Sequence, residues 1–312
     1  MFNFLRRTSD KFPVFFDNHG NILNHVMPHF SSVDDIAKAK AIVLWQDVAG
    51  HPLPYVAKAR EMKIPVIVVQ HGRWSYTDYF PPVNYTMKAD KFCVWGVRDY
   101  LDMINAGFSE DRLVLTGAPI FEGFDRSRVK HEGSNVVFAP LHLDKEVEEN
   151  MEIIGALLKI QGINVTSKLL SCHDKKAYGK NIVFSRPGDP DHLYKCMELL
   201  KRTDIVISNE PGTFELLAMY LDIPLIFVNN SKPRPFCGNT DYDKRKPVPF
   251  NGVEVIQKVS ELEGVIRKHM KEPSLMHTER AMELLNSAGC GIQGSAAGRI
   301  VNVIKEAILA GK

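Results

Sequence analysis

Cysteine is scarce in this chain, and its few copies stand apart. The five, Cys93, Cys172, Cys196, Cys237 and Cys290, form no C-x-x-C pair, so neither a zinc ribbon nor a disulfide framework is expected, and a reducing cytosol suits them. An excess of charge is missing too. With 39 basic against 37 acidic residues the net charge is +2, which demands neither a nucleic acid nor an anionic membrane as partner. No run reaches the roughly 18 apolar residues of a membrane span, and the opening M-F-N-F-L-R-R-T-S-D lacks the apolar core of a signal peptide. A cytoplasmic protein is expected. Repeats and low-complexity tracts are also absent. The histidine-rich segment Asp17 to Phe30 has no spacing that suits a metal site, and Asp241, Tyr242 and Asp243 carry the letters of a D-x-D motif without following any identifiable strand.

What is present is a regular alternation. At 312 residues and 45% apolar content the chain is long enough for two ordinary domains. Buried strands are predicted at Pro13 to Phe16, Ala41 to Trp45, Pro65 to Val69, Lys91 to Trp95 and Leu113 to Thr116. Between them, helices are predicted at Val33 to Lys40, Leu53 to Met62 and Val97 to Ala106. A polar, charged stretch after Thr116 reads as a linker. The alternation then returns, with strands at Asn135 to Ala139, Asn164 to Leu170, Asn181 to Phe184, Asp204 to Ile207 and Pro224 to Val228, and helices at Lys145 to Ile160, Asp189 to Arg202 and Thr213 to Leu221. Three more helices are predicted at Val253 to Met270, Leu275 to Asn286 and Ser295 to Leu309. Strands separated by single helices imply parallel, doubly wound sheets. The expected organisation is a first α/β domain over 1–130, a second over 131–294, and a closing helix, 295–312, that crosses back to the first.

The stretch with most chemistry is D-I-V-I-S-N-E-P-G-T-F-E-L-L-A-M-Y-L-D-I-P-L-I-F-V-N, from Asp204 to Asn229. It reads as strand, tight loop, helix, strand. Gly212 lets a ligand approach the backbone, and the first amides of the helix beyond it are unpaired donors at the positive end of a dipole, so Ser208, Glu210, Gly212 and Thr213 are candidates to hold phosphate oxygens. Glu215, in the first turn, either complements that dipole or accepts hydrogen bonds from ribose hydroxyls.

Ligands of open α/β sheets bind outside the carboxyl ends of the strands, so residues just after strands carry the remaining candidates. His71, after a run of apolar residues and before Gly72, sits at a strand tip. There an imidazole can take a proton from an attacking hydroxyl or steady a phosphate, and it can equally cap the strand end. Arg73 beside it suits a diphosphate, or is solvated surface. His142 and His173 have the same dual reading. Gly117, in T-G-A-P after the fifth strand, is placed on the acceptor side.

With these residues in view the chain resembles a known group. Q-H-G, then A-D-K-F-C-V-W-G-V-R-D-Y-L and N-A-G-F, then R-L-V-L-T-G-A-P-I-F-E-G-F-D, then V-V-F-A-P, the Asp204 stretch and G-I-Q-G-S-A-A-G-R-I-V-N-V-I are similar to the capsule and teichoic-acid glycosyltransferase and CDP-glycerol glycerophosphotransferase group. The resemblance covers most of residues 65 to 310. It implies the GT-B fold: α/β, two Rossmann-like doubly wound domains with a cleft between them. It implies transfer of a sugar or polyol phosphate from a nucleotide-diphosphate donor, with no required metal or other cofactor, since helix dipoles and basic side chains neutralise the leaving diphosphate. His71 would be the acceptor-side histidine and His173 the donor-side one, although Asp174 stands where the group usually has proline. Ser185, Arg186 and Pro187 lie where such folds grip the base.

Other readings share these letters. L-H-L-D-K-E-V-E-E-N is reminiscent of the non-hydrolysing UDP-GlcNAc 2-epimerases. Those enzymes carry carboxylates where this chain has Gln70, His71 and Gly72 and where it has Pro81, Pro82 and Val83, which leaves elimination and re-addition without an evident acid and base. A non-catalytic nucleotide-sugar-binding relative is a further alternative. So is a viral-type DNA-base glycosyltransferase, for which Lys232, Arg234, Lys244, Arg245 and Lys246, with Phe236 and Tyr242 among them, would touch phosphates. A solvated charged loop explains that basic stretch as well, and the acceptor expected first is a glycan or polyol.

Overall fold

The computed structural model describes residues 11–18, 22–45, 52–72, 88–105, 107–126, 134–140, 147–169, 178, 180–184, 189, 191–209, 212–229, 250–273 and 275–311. Its first sheet is built from β1 (Pro13–Phe16), β2 (Ser31–Ser32), β3 (Ala41–Leu44), β4 (Val66–Val69), β5 (Lys91–Val94) and β6 (Leu113–Leu115), with α1 (Pro52–Glu61) and α2 (Val97–Asn105) as crossovers. The second holds β7 (Ser134–Ala139), β8 (Ile163–Leu169), β9 (Ile182–Phe184), β10 (Ile205–Ser208), β11 (Leu225–Val228) and β12 (Glu254–Ile256). Around it lie α3 (Val147–Leu157), α4 (His192–Lys201), α5 (Thr213–Tyr220), α6 (Leu262–Lys271) and α7 (His277–Ala288), while α8 (Ala296–Ala310) packs against β3 and β5 of the first sheet. All ladders are parallel. β3, β4, β10 and β11 are buried along their whole length, because helices cover both faces of a parallel sheet; that is why they read as unbroken apolar runs.

Strand order fixes where each sheet can hold a ligand. The first runs β2-β1-β3-β4-β5-β6 and reverses direction between β1 and β3; the second runs β12-β11-β10-β7-β8-β9 and reverses between β7 and β10. Such a reversal leaves a crevice outside the carboxyl ends of the two diverging strands. The two crevices open beside Asp17 and Trp45 in one domain and beside Pro140 and Asn209 in the other. These are two Rossmann-like domains with a cleft between them.

The seam between the domains is closely packed. One hydrophobic cluster includes Val43, Val69 and Trp95 of the first domain, Val137, Val206 and Leu217 of the second, and Ile300 and Ile304 of α8. Glu122 accepts from the Ser295 hydroxyl at 2.9 Å and from the Ala297 amide at 3.0 Å, and Arg299 donates through Nε to the Thr116 carbonyl at 2.7 Å, so the start of α8 is fastened to the loop after β6. α7 ends against the first domain: a Cβ at Gly96 would clash with the Asn286 carbonyl.

Two local expectations are corrected, and one element is new. Val33 to Lys40 is not an α-helix; a single 3₁₀ turn, Ile36–Lys38, forms where the Asp35 carboxylate accepts from the Ala37 amide at 3.0 Å. Val253 to Met270 is not one helix either, since Glu254–Ile256 pairs with β11 as β12 and α6 begins only at Leu262. The short edge strand β2, two exposed serines paired with β1, was not expected at all. No helix among the described residues is long and apolar enough to cross a membrane.

Candidate functional site

On the first domain the site begins where β4 stops. Gln70 is buried, and its side chain closes the turn from three sides. Its Nε2 donates to the Gly72 carbonyl at 2.8 Å and to the Asp99 carboxylate in the first turn of α2, while its Oε1 accepts from the Trp95 amide at 2.8 Å. That network presents His71 at the strand tip. His71 Nδ1 lies 3.2 Å from the Trp45 carbonyl, and the ring stands edge-on to the Trp45 indole, centroids 4.7 Å apart at 82°. A carbonyl can only accept, so Nδ1 carries the proton in the neutral ring and Nε2 is the basic nitrogen. The Trp45 contact thus fixes both tautomer and ring plane.

On the second domain β10 ends in two buried polar residues, Ser208 and Asn209. Asn209 Nδ2 donates to Glu149 at 3.2 Å and Asn150 at 2.9 Å, and Asn150 donates to the Tyr178 hydroxyl at 3.2 Å, so the tip of β10 is tied to the first turn of α3 across the crevice. The N-cap of α5 is Gly212, whose backbone is extended and which gives no side-chain cap. The N-cap side chain that usually accepts from one of the first amides is therefore missing. Glu215, buried in that first turn, bends back so that its Oε2 would lie 3.2 Å from a Cβ at position 212. Behind it, Ser208, Phe227, Phe250 and Val253 line a cavity of about 10 Å³, room for one water and not for a ribose.

The two halves meet. A Cβ built on Gly72 would lie 3.2 Å from the Thr213 hydroxyl, so the turn that carries His71 faces the uncapped start of α5. Under the same helix, the Lys168 ammonium of β8 lies 5.2 Å from the centroid of the Phe214 ring. Two of the described thiols are held protonated: burial pushes Cys93 up to about 12 and Cys290 up to about 11.

Of the expected site residues, His71, Ser208, Gly212, Thr213 and Glu215 gather along this cleft. Gly117 does not. At φ +80° it sits in the seam, where Arg299, Ala296 and the Ala288 carbonyl cover its α-carbon, leaving no room there for an acceptor. Its glycine is required by close packing and by a left-handed backbone. Arg73, His142, His173, Ser185, Arg186, Pro187 and Glu210 lie outside the described residues, as does the basic loop from Lys232 to Lys246. Sequence reasoning passed over Lys168 and the Asn209, Asn150 and Glu149 network. A lone lysine near the end of a buried strand, V-T-S-K-L-L, was the available signal for the first; the second depends on contacts between distant segments.

No protein-family model matches this chain, and no curated protein does. Solved structures do. A putative UDP-N-acetylglucosamine 2-epimerase from Listeria monocytogenes superposes with a TM-score of 0.61 at 11% identity, over 95% of this chain and 96% of that one. The wall teichoic acid polymerase TagF gives 0.60 at 11% identity, over 96% and 90%. The UDP-GlcNAc 2-epimerase from Neisseria meningitidis, solved bound to UDP-GlcNAc, gives 0.57 at 11% identity, over 95% and 99%. At such identity the likeness is one of architecture, and on that ground the chain has the GT-B fold, two Rossmann-like domains facing each other across a cleft.

Proposed function

We propose that this protein is a metal-independent transferase that moves a sugar, or a polyol phosphate, from a nucleotide-diphosphate donor to the hydroxyl of a glycan or polyol. The observation that carries the reading is the meeting of the His71 and Gly72 turn with the uncapped start of α5. One side offers a histidine held in a single tautomer; the other offers backbone donors where negative charge would collect. In the sugar case the acceptor oxygen attacks the anomeric carbon, its proton passes to His71 Nε2, and the bond from that carbon to the diphosphate oxygen breaks. The departing diphosphate is met by the amides of Thr213 and Phe214, which supply the neutralisation otherwise asked of a metal. Glu215 takes the ribose hydroxyls. UDP is the nucleotide to try first, since two of the similar folds are proteins described by their action on UDP-GlcNAc.

Titration calorimetry tests the donor side. Gly212→Val is expected to weaken UDP at least tenfold, because a side chain there meets the Glu215 carboxylate and blocks the close approach of phosphate to backbone. Glu215→Ala should weaken uridine and UDP by the same factor, as a ribose contact would. Unchanged UDP affinity in Gly212→Val would put the phosphates elsewhere. Product analysis with UDP-GlcNAc separates transfer from epimerisation: release of UDP with an acceptor product supports the first, and C2 inversion without an acceptor overturns it.

A further inference from the structure

Leu262 and Ile266 turn one face of α6 into the core of the second domain, and the next residue on that face is a histidine. His269 is 1% exposed, and among the described residues neither ring nitrogen has a hydrogen-bond partner. The Glu254 carboxylate of β12 lies 3.5 Å from its Nε2, too long for a good hydrogen bond, and the half-exposed Lys268 ammonium holds that carboxylate at 3.0 Å. On α7, Arg280 also acts on the ring, though its own partner is Asp222 at 2.6 Å. Burying polar atoms without partners costs stability, a cost that leucine would not carry at the same core-facing position. The neutral ring is the form that fits here. Burial holds the imidazole below the usual histidine value of 6.5, against the pull of Glu254, and the Lys268 and Arg280 cations add to the depression.

β12 is the edge of the second sheet and pairs only with β11. Val253, the residue before Glu254, lines with Phe250 the cavity behind Glu215. A proton on His269 would place a charge between α6 and this edge, and the charged ring reaches water only if the last turn of α6 lifts away from β12.

We infer that His269 is a proton-sensitive latch between α6 and β12: neutral, it lets the helix close the sheet edge behind Glu215, and protonated, it releases that edge. The inference stands apart from the nucleotide reading. Because the folded chain resists the proton, the stabilisation is complete above pH 6.5 and is lost as the pH falls below it toward the value of the buried ring.

The test is amide hydrogen exchange on the full chain at about pH 7.5 and about pH 5.5, a span above the ordinary titration of carboxylates, for the parent and for His269→Leu. Rates are corrected for the intrinsic pH dependence of exchange. In the parent, opening of residues 250–256 and 262–271 should become at least about threefold more frequent at the lower pH, and in the variant it should not change. The other histidines are common to both chains, so the comparison removes their titration. If His269→Leu does not fold, His269→Gln, uncharged at both pH values, is read by the same criteria. An equal acid response in parent and variant would overturn the inference, and so would the lack of any response in the parent. A parent response spread evenly over both domains would overturn it as well, since His269 would then govern the stability of the whole chain and not of the edge.

Discussion

Replacing His71 by glutamine is expected to lower turnover by about a hundredfold to ten-thousandfold, the usual loss when a positioned general base is removed, while UDP affinity stays within about twofold. Glutamine is the sharper choice over alanine. Its amide can still donate to the Trp45 carbonyl that holds His71 Nδ1 at 3.2 Å, so the turn keeps its anchor and only proton uptake is lost. Donor affinity should survive because the donor contacts proposed above belong to the other domain. Turnover can be read before any acceptor is known, as release of UDP from a UDP-sugar into water, and again with an acceptor once one is found. Turnover within threefold of the parent would mean that the Trp45 contact is packing alone, and His142 would then become the histidine to test.

The sheets were legible because parallel strands covered on both faces leave their mark as unbroken apolar runs: Val66 to Val69 and Leu225 to Val228 could hardly be read otherwise. Where the expectation failed, local chemistry had stopped a pattern that hydrophobicity alone carried on. In V-E-V-I-Q-K-V-S-E-L the apolar residues continue at helical spacing, yet the Lys258 amide donates to the Glu261 carboxylate at 2.9 Å and starts a helix there, which leaves Glu254–Ile256 to complete the sheet edge. β2 had no apolar residue to betray it. Ser31 is a strand residue only because β1 offers it a ladder.

The site divides along the same line. His71, Gly212 and Glu215 could be picked out because each stands just beyond a strand, in a turn or a first helical turn, and that position alone suggests a crevice. The approach of Gly72 to Thr213 could not, since it joins segments some 140 residues apart on different domains. Gly117 shows the opposite error: a glycine after a strand invited a substrate, and the partner that came close was the end of α7 and the Arg299 guanidinium. What a glycine makes room for is decided by tertiary contacts, which its own sequence neighbourhood does not contain.

Those contacts converge on one carboxylate, and removing it is expected to cost the most stability. Glu283 of α7 is fully buried and accepts from Arg98 Nη2 in α2 at 3.0 Å, from the Asn251 amide at 3.2 Å, from Asn251 Nδ2 at 2.8 Å and from the Ser287 hydroxyl. It therefore binds a helix of the first domain and the turn before β12 of the second to the same helix end. Glu283→Ala would leave those donors facing a cavity, at a cost of about 3–5 kcal/mol, the usual range for breaking a buried ion pair from one side. Arg98→Met should cost clearly less, because that side chain is 27% exposed and the carboxylate keeps the donors from Asn251 and Ser287. In denaturant unfolding of both single variants and the double, the pair should show a coupling energy well above the ~0.5 kcal/mol scatter of independent sites. Activity should fall as well. The last turn of α7 abuts Gly96, and the neighbouring Trp95 amide donates to Gln70, the residue that shapes the His71 turn. Loosening α7 should thus lower turnover more than donor affinity, whereas a loss of stability below ~1 kcal/mol with turnover unchanged would show that the seam is held elsewhere.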